Sequence, residues 1–424
     1  MYRQAIMTPN ENIITATIGF NQNLDLPTVA TVVKSPPQSV VTASLKDDQQ
    51  SHAEKLLSIL DEHKRTIDSS STGCGKTYVA GYIARTMLDT GKVDNIHVIC
   101  PPSLVKNWKD VLQKWNVPIA FIHGYNKMHY PHAERSLVIL DEFHFLKNAS
   151  QRYYRTRKLV HKSEYVHATS ATPLDNTHQY DHLSLMFGID VTKIQCRLLF
   201  TPPVGQEVEF VTEGKEDEKR IEEYIGGYRK ISMSGRLRQL NAGGPPRFNG
   251  KLYTKGLHMI HGAMYDHLLE LVRTELAQPN RKVIIIEHFR DLVLQLVEDL
   301  SESYPDSPPL LLNGSTKQND RDSIIAQFQE ASNRRRILIT SAVVGGVGLS
   351  LDDQDGNYPR TTIVMPLGNY VDYKQTLGRT LRRNTKSESK VIIVQPNEKV
   401  SSTYMKSIIT TKGDALDTYL DQAL

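Results

Sequence analysis

The stretch RTIDSSSTGCGKTYVAGYIARTML, residues 65–88, decides the fold of this chain. It has the pattern of a short strand, a turn with two glycines, and a helix. Gly73 and Gly75 allow successive backbone N–H groups of the turn to point at phosphate oxygens. The helix that follows adds its positive N-terminal end to the same site. The stretch therefore predicts a phosphate-binding loop.

The side chains of the loop indicate its ligand. Lys76 supplies a positive charge for the β- and γ-phosphates of a nucleotide, and the hydroxyl of Thr77 is suited to Mg²⁺. The full pattern has Gly or Ala six residues before the lysine, where this chain has the small residue Ser70. A glycine-rich turn before an ordinary helix is the alternative interpretation. We predict ATP with Mg²⁺ as the ligand. The predicted nucleotide contacts in the loop are Thr72, Gly73, Cys74, Gly75, Lys76 and Thr77.

Short apolar runs alternate with helix-like stretches along most of the chain. Continuously apolar strands such as LVILD (137–141) are typical of parallel sheets covered on both faces, and the alternation indicates βαβ units. The fold class is therefore α/β, with two sheets. The first set of runs is HVIC (97–100), IAFIH (119–123), LVILD (137–141) and YVHATS (165–170). The second set is KVIII (282–286), LLLN (310–313), RILITS (336–341), TTIVM (361–365) and KVIIV (390–394).

Two adjacent carboxylates follow the buried strand of the first set. Asp141 is suited to hold Mg²⁺, and Glu142 is suited to orient and deprotonate an attacking water. Burying two carboxylates costs free energy unless a cation neutralises them. A strand that ends in acidic surface residues is the alternative, but the phosphate loop upstream favours a site of ATP hydrolysis.

Several strings around these residues resemble one family. DEFH (141–144) resembles the DEAH box of superfamily-2 helicases, with Phe143 in place of Ala, and SAT (170–172) resembles their motif III. The longer strings DEFHFLKNAS, TSATPLDN and VICPPSLVKNWKDVLQKW resemble the Swi/Snf-type members. The compact size and the tail RTLRRNTKS (379–387) are closer to the compact nucleoside triphosphatases of large DNA viruses. A viral source is left open.

The resemblance implies roles for further residues of the first half. His144, Ser170 and Thr172 would couple hydrolysis to nucleic-acid binding. Gln49, in LKDDQ (45–49), would recognise adenine. Trp108 would contact nucleic acid or, equally, cap the core. The predicted nucleic-acid contacts of this half are Pro101, Ser103, Asn107 and Trp108.

The second half contains matching motifs in the family's order. KVIIIEHF (282–289) resembles motif IV, LNGSTKQNDRDSIIAQF (312–328) resembles the GST…R…F segment, and SAVVGGVGLSL (341–351) resembles motif V. QTLGRTLRR (375–383) resembles motif VI. From these the resemblance implies a nucleotide contact at Gly348, a nucleic-acid contact at Ser341, and the catalytic residues Gln375, Arg379 and Arg382. Arg379 and Arg382 are spaced to share one face of a helix and to supply positive charge to the transition state.

The domain organisation follows from these motifs. We predict two tandem RecA-like lobes, at 44–190 and 257–424, with the ATP site in the cleft between them. Residues 1–43 are predicted to be a polar extension, and 191–256 a linker. Residues 224–265 contain no Asp or Glu. Three basic residues there are predicted to contact nucleic acid, with a solvated linker as the alternative: Arg236, Arg238 and Arg247.

Composition limits the other possibilities. The chain has 424 residues, 39% of them hydrophobic and 23% charged, as in ordinary globular proteins. No apolar run is long enough to span a bilayer and the N-terminus does not resemble a secretion signal, so we expect no membrane association. Its 3 cysteines have neither disulfide density nor zinc spacing, which favours a reducing intracellular compartment.

The sequence thus predicts a nucleic-acid-dependent ATPase that moves along DNA, with duplex DNA preferred over RNA as the partner. A monomeric motor is expected, and targeting by partner proteins is left open. A strand-separating DNA or RNA helicase is the alternative within the same class. A non-catalytic nucleic-acid-binding scaffold of a transcription or packaging assembly is the alternative from another class.

Overall fold

The computed structural model describes two compact units, with the boundary between Thr201 and Pro202. Each unit consists of one sheet with helices packed on it, which confirms the predicted α/β class. None of the helices described is long and apolar enough to cross a membrane. The residues that the structure describes are 13–14, 32–34, 43–126, 134–174, 178–199, 203–212, 250–341, 350–366 and 370–395.

The first unit contains an eight-stranded sheet in the order β1-β2-β5-β4-β6-β7-β3-β8. Strands β3 to β8 are parallel to their neighbours, and β1 and β2 are added antiparallel at the β5 edge. The carboxyl ends of the parallel strands therefore meet at one edge. The strands are β1 (Ile13–Ile14), β2 (Val32–Lys34), β3 (Arg65–Asp68), β4 (Asn95–Cys100), β5 (Ile119–Gly124), β6 (Ser136–Asp141), β7 (Tyr165–Thr169) and β8 (Gln195–Cys196).

Helices cover both faces of this sheet. The connections through α2 and α3 run along the sheet in one direction, and the connection through α4 runs in the opposite direction. Because crossovers between parallel strands are right-handed, α4 lies on the other face of the sheet from α2 and α3. Consistent with this, α2 packs against α1 and α3, whereas α4 packs against α5. The helices are α1 (Asp47–His63), α2 (Lys76–Asp89), α3 (Val105–Lys114), α4 (Gln151–Lys162) and α5 (His178–Phe187).

The second unit contains a six-stranded parallel sheet in the order β11-β12-β10-β13-β14-β9. Its core lies between this sheet and the helices and includes Leu268, Val283, Leu296 and Ile339. The strands are β9 (Gln206–Thr212), β10 (Lys282–Ile286), β11 (Leu310–Leu312), β12 (Ile337–Thr340), β13 (Arg360–Val364) and β14 (Ser389–Gln395). The helices are α6 (Gly250–Ala263), α7 (Tyr265–Leu276), α8 (Arg290–Ser303), α9 (Gln318–Gln329) and α10 (Tyr370–Leu377).

All nine strands of the two predicted sets are present, and so is the short strand before the loop, but the sequence did not predict four others, β1, β2, β8 and β9. Strands β1 and β2 fall within 1–43, which was predicted to be an extension. Strand β9 falls within the predicted linker 191–256 and pairs with β14 along seven residues, Gln206 to Thr212. All four lie toward sheet edges, where short or polar strands are held by pairing with a neighbour rather than by burial of a continuous apolar run.

Close packing of α2 on α3 depends on a glycine. A Cβ at Gly81 would lie 2.5 Å from Cδ1 of Trp115 and 2.8 Å from Cγ1 of Val111. Trp115 is buried and its ring also contacts the edges of Tyr78 and Tyr82, at centroid distances of 5.8 and 5.4 Å. The indole therefore has little room to move away.

We predict that Gly81→Ala destabilises the protein, because overpacking of this kind costs about 1–3 kcal/mol, more than the gain in helix propensity of about 1 kcal/mol. Gly262→Ala in α6 is the matched control, since a Cβ there meets nothing within 4 Å. Thermal unfolding should give a lower midpoint for Gly81→Ala and an equal or higher midpoint for Gly262→Ala. Equal midpoints for both variants would contradict the packing argument.

Candidate ATP site

The phosphate loop joins β3 to α2 at the carboxyl edge of the first sheet. Gly73 and Gly75 have φ of 81° and 88°, a conformation that favours glycine. Gly75 is also the residue that precedes α2, and a Cβ there would lie 2.4 Å from Nε2 of Gln49. Backbone conformation and close approach therefore both require glycine at this position.

Two side chains bind the loop backbone. Nε2 of Gln49 donates to the carbonyl of Cys74 at 2.8 Å, and its Oε1 accepts from the N–H of Lys46 at 3.2 Å. Nζ of Lys76 donates to the carbonyls of Ser70 and Ser71 at 2.9 and 3.0 Å. The predicted adenine-recognition residue and the predicted phosphate-binding lysine thus lie at the same loop. Thr72 and Thr77 are half-buried within it, and Cys74 is buried.

Asp141 ends β6 and is 4% exposed. Its Oδ1 accepts from Oγ1 of Thr169 at 2.7 Å, and its Oδ2 accepts from Nε1 of Trp108 at 2.6 Å. Burial and the negative charge of Glu142 raise the pKa of Asp141 above its ordinary value, although the two hydrogen bonds act in the opposite direction. The carboxylate is therefore fixed in orientation but incompletely neutralised, which suits it to a cation.

A chain of contacts links the acidic box to the end of β7. Nδ1 of His144 lies 3.2 Å from Oε2 of Glu142 and 3.1 Å from Oγ of Ser170. Oγ of Ser170 accepts from the N–H of Thr172 at 3.2 Å. Glu142 itself has φ of 54°, so its backbone turns sharply away from the strand. Within the first unit, the structure therefore brings Glu142 together with the predicted coupling residues His144, Ser170 and Thr172.

Trp108 has a different role from the nucleic-acid contact predicted for it. It is fully buried, and its indole N–H is bound to Asp141. Helix α3 carries Trp108 on its inner face, because Val111 and Leu112 of the same face are also buried. Of the other predicted contacts, Asn107 is exposed, Ser103 half-buried and Pro101 buried.

A second buried acid lies beneath the loop and was not predicted. Nε2 of His52 lies 3.2 Å from Oδ1 of Asp68 and 3.1 Å from Oγ of Ser70. Burial lowers the pKa of His52, but its bonds to Asp68 and to Cys196 outweigh burial and raise the pKa to about 9. Burial raises the pKa of Asp68, but the contact with His52 outweighs it and lowers the pKa to about 2. The pair is an ion pair that anchors Ser70.

Two signals in the sequence point to this pair. His52 is three residues after Gln49 and so lies on the same face of α1. Ser70 stands where the loop pattern has Gly or Ala, and its hydroxyl is what the histidine binds. The departure from the pattern therefore has a structural reason.

Arg379 and Arg382 were predicted to lie on a helix, but in the second unit they do not. Helix α10 ends at Leu377, so Arg379 and Arg382 lie in the turn after it and do not share a helix face. The turn is held by backbone bonds, from Arg379 N–H to Thr376 O at 3.1 Å and from Leu351 N–H to Arg379 O at 3.3 Å.

The remaining predicted residues of this unit divide into two groups. Gln375 is 4% exposed near the end of α10, and Ser341 follows β12 and is half-buried. Gly348, Arg236, Arg238 and Arg247 lie outside the residues that the structure describes.

Comparisons with known proteins agree with these motifs. The profile of the helicase conserved C-terminal domain matches residues 263–384. A protein of Acanthamoeba polyphaga mimivirus, named "Putative ATP-dependent RNA helicase L364", is 24% identical, over 88% of this chain and 83% of its own length. These matches support the predicted superfamily-2 helicase-like ATPase.

Solved structures show the fold of this chain. The helicase MrfA bound to DNA matches with a TM-score of 0.58 and 11% identity, over 90% of this chain and 52% of that one. S. cerevisiae Dbp5 bound to RNA and ADP BeF3 matches with a TM-score of 0.53 and 14% identity, over 88% of this chain and 92% of that one. The two units are therefore tandem RecA-like lobes, as predicted.

The candidate site of the first unit fits Mg²⁺. Magnesium prefers hard oxygen ligands, and the first unit offers the Asp141 carboxylate and the Thr77 hydroxyl. Each Asp141 oxygen accepts one hydrogen bond and keeps further lone pairs for a cation or its water. These two residues would hold the ion, which would screen phosphate charge when bound.

We predict that His52→Gln lowers the free energy of unfolding by about 3 kcal/mol near pH 6, because it leaves Asp68 buried without its partner. The folded pKa of His52, about 9, lies above its ordinary 6.5, so the stability from its charge is present below 6.5 and lost as pH rises through 9. The folded pKa of Asp68, about 2, lies below its ordinary 3.8, so its contribution is lost only as pH falls through 2. The deficit of the variant should therefore shrink above pH 9.

Urea unfolding of both proteins across this range measures the deficit, with His63→Gln on the same helix as control. The groups facing His52 that also titrate are Asp68, Cys196 and the buried His167, whose pKa burial lowers to about 4. His167 should therefore stay neutral between pH 6 and pH 9.5. A deficit that is the same at about pH 6 and about pH 9.5 would show that His52 acts by packing alone.

Proposed function

We propose that this protein is an ATP-driven translocase that moves along duplex DNA without separating its strands. The observation that carries the ATPase part is the Asp141 carboxylate, fixed by Trp108 and Thr169 beside the phosphate loop. The duplex-DNA part rests on the strings DEFHFLKNAS and TSATPLDN, which resemble Swi/Snf-type translocases.

Four residues of the first unit each have a part in the proposed reaction, namely Lys76, Glu142, His144 and Ser170. Lys76 leaves the carbonyls of its own loop for the β- and γ-phosphates, which are stronger acceptors because they are charged. Glu142, held by His144, accepts the proton of the attacking water. His144 and Ser170 transmit the state of Glu142 to Thr172 and the segment after β7.

Residues of the second unit complete the proposal. Arg382 is the candidate for positive charge in the transition state, with Arg379 beside it in the turn after α10 and Gln375 at the end of that helix. Gly348 is proposed to approach the nucleotide, and Ser341 the nucleic acid. The basic residues Arg236, Arg238 and Arg247 are proposed to bind phosphates, as are Ser103 and Asn107 of the first unit.

An RNA helicase is the second candidate. The mimiviral relative is named as an RNA helicase, and Dbp5 was solved bound to RNA. Against this, the helicase MrfA was solved bound to DNA. The choice depends on which backbone geometry stimulates hydrolysis, since an A-form duplex presents its phosphates and 2′-hydroxyls differently from B-form DNA.

We predict that Lys76→Ala abolishes ATP turnover, because it removes the charge that binds the phosphates. Glu142→Gln should keep ATP binding and lose hydrolysis by a factor of about 10² or more, because it keeps the shape and removes the base. Phosphate release and nucleotide-binding fluorescence measure the two effects. Turnover near the wild-type rate in Glu142→Gln would remove Glu142 from the role of base, and no phosphate release by the wild type would favour the scaffold alternative.

The substrate is tested with matched duplex DNA, single-stranded DNA, duplex RNA and single-stranded RNA. We expect the strongest ATPase stimulation by duplex DNA, weaker stimulation by single-stranded DNA and the weakest by RNA. In assays of movement along DNA, we expect the protein to displace the third strand of a triplex without unwinding the duplex. Unwinding of a tailed duplex would favour a strand-separating helicase, and stimulation by RNA alone would contradict the DNA proposal.

A further inference from the structure

Helix α4 has an unusual distribution of charge. Its twelve residues, Gln151–Lys162, include five Arg and Lys and no Asp or Glu. Tyr154 is 53% exposed, and Arg155, Lys158 and Lys162 on the same side of the helix are also exposed. We call these four residues, Tyr154, Arg155, Lys158 and Lys162, the α4 stripe.

Arg152 and Tyr153, which lie outside the α4 stripe, have structural roles. Arg152 donates to Oδ1 of Asn126 at 3.2 and 3.1 Å and lies over the ring of Phe145. Tyr153 is buried and its hydroxyl donates to the carbonyl of His182 at 2.9 Å. Packing and hydrogen bonds therefore account for the inner side of the helix.

The charges of the stripe are not explained in the same way. A cation in the last turn, such as Lys162, stabilises the helix through its dipole, but Arg155 and Lys158 lie in the middle. Like charges three and four residues apart, as in Arg155–Lys158 and Lys158–Lys162, destabilise a helix slightly. Within the residues described, no carboxylate forms an ion pair with these three side chains. A polyanion bound along the stripe would offset the repulsion.

We propose that the α4 stripe is a second nucleic-acid contact, which binds the phosphates of a DNA duplex at a place separate from the motor residues. The proposal rests on the proposed function, since it assumes that the protein acts on DNA. Arg155, Lys158 and Lys162 would each bind a phosphate, and the hydroxyl of Tyr154 is a further donor to the backbone.

The dimensions of the stripe fit one strand of a duplex. Arg155 and Lys162 are seven residues apart, which is about 10 Å along a helix. Successive phosphates of one strand are about 3.4 Å apart along the duplex axis, so four of them, separated by three intervals, span about 10 Å, a similar length. The stripe therefore presents charges at a density that a strand can match.

The position of α4 makes this contact separate from the predicted one on α3. Right-handed crossovers place α4 and α3 on opposite faces of the first sheet, so their outer sides point away from each other. Asn107, the exposed predicted contact on α3, is thus remote from the outer side of α4. A duplex of one helical turn should be too short to occupy both.

A nucleic acid suits the stripe better than a protein does. Charged residues are depleted at the centre of protein interfaces, whereas the centre of this surface consists of three cations. The exposed Leu185 lies near the C-terminal end of α4, where its carbonyl contacts Nε2 of His161 at 3.3 Å, but one aliphatic side chain makes no apolar centre. Binding of an acidic protein is therefore an outcome of the test rather than the proposal.

The test is a triple variant, Arg155→Gln/Lys158→Gln/Lys162→Gln, in the full chain. Its matched control is Lys55→Gln/Arg334→Gln/Lys386→Gln, which removes the same charge from exposed positions scattered over both units. Fluorescence anisotropy measures affinity for labelled duplexes of about 30 and about 10 base pairs over a range of salt, the shorter being one helical turn.

On the longer duplex we expect the stripe variant to lower the slope of log affinity against log salt by roughly 2 to 3, at about 0.9 for each lost contact. On the shorter duplex it should behave as the control does. Tyr154→Ala should weaken binding to the longer duplex without a change of slope, because it removes no charge. Basal ATPase activity without nucleic acid should be unchanged in all variants, which shows that they fold.

The outcomes separate this proposal from the proposed function. If the wild type neither binds nor responds to nucleic acid, the proposed function fails. If the wild type responds but the stripe variant matches the control on the longer duplex, only the stripe proposal fails. An equal loss of affinity for both duplexes would also overturn the stripe proposal. The stripe would then be part of the same nucleic-acid contact as the motor residues. If the stripe variant binds DNA as the wild type does but no longer binds an acidic protein, the partner of the stripe is a protein and not a nucleic acid.

Discussion

The first unit is organised around the burial of one carboxylate, that of Asp141. An ionised carboxylate in a protein interior must be hydrogen-bonded or neutralised, and here the neighbouring elements supply the donors. Trp108 of α3 and Thr169 of β7 bind its side chain, while the hydroxyl of Tyr125, just after β5, binds its carbonyl at 2.7 Å. The position of α3 and the ends of three strands are therefore fixed by the residue that would also meet the metal ion.

This constraint explains what the sequence predicts well and what it does not. The loop, the acidic box and the buried strands have local signals, namely glycine spacing, adjacent acids and β-branched runs, and the structure has each of these elements at its predicted place. The partner of Asp141 has no such signal, because Trp108 is 33 residues away and its indole reaches the carboxylate only through the fold. From its string alone, a nucleic-acid contact and a place in the core were equally expected for Trp108, and the structure places it in the core.

Pairs that form across the fold escape prediction for the same reason. The ion pair of His52 and Asp68 joins a helix face to a strand end, and either residue alone is an ordinary polar position. Strand β9, QEVEFVT, has no long apolar run and is recognised only by its pairing with β14. The turn that carries Arg379 and Arg382 was predicted as helix because spacing alone does not show where a helix stops; the backbone bonds to Thr376 and Leu351 do.

The phosphate loop is also bound to the segment that leads out of the first unit. The N–H groups of Ser69 and Ser71 donate to the carbonyls of Cys196 and Leu198, and the N–H of Leu198 donates to Oγ of Ser70 at 2.8 Å. Leu198 lies only a few residues before the boundary at Thr201. A rearrangement of the loop on phosphate binding would have to shift or break these bonds. Because Ala or Gly at position 70 would leave the Leu198 N–H without this acceptor, Ser70 makes the outgoing chain sensitive to the state of the loop.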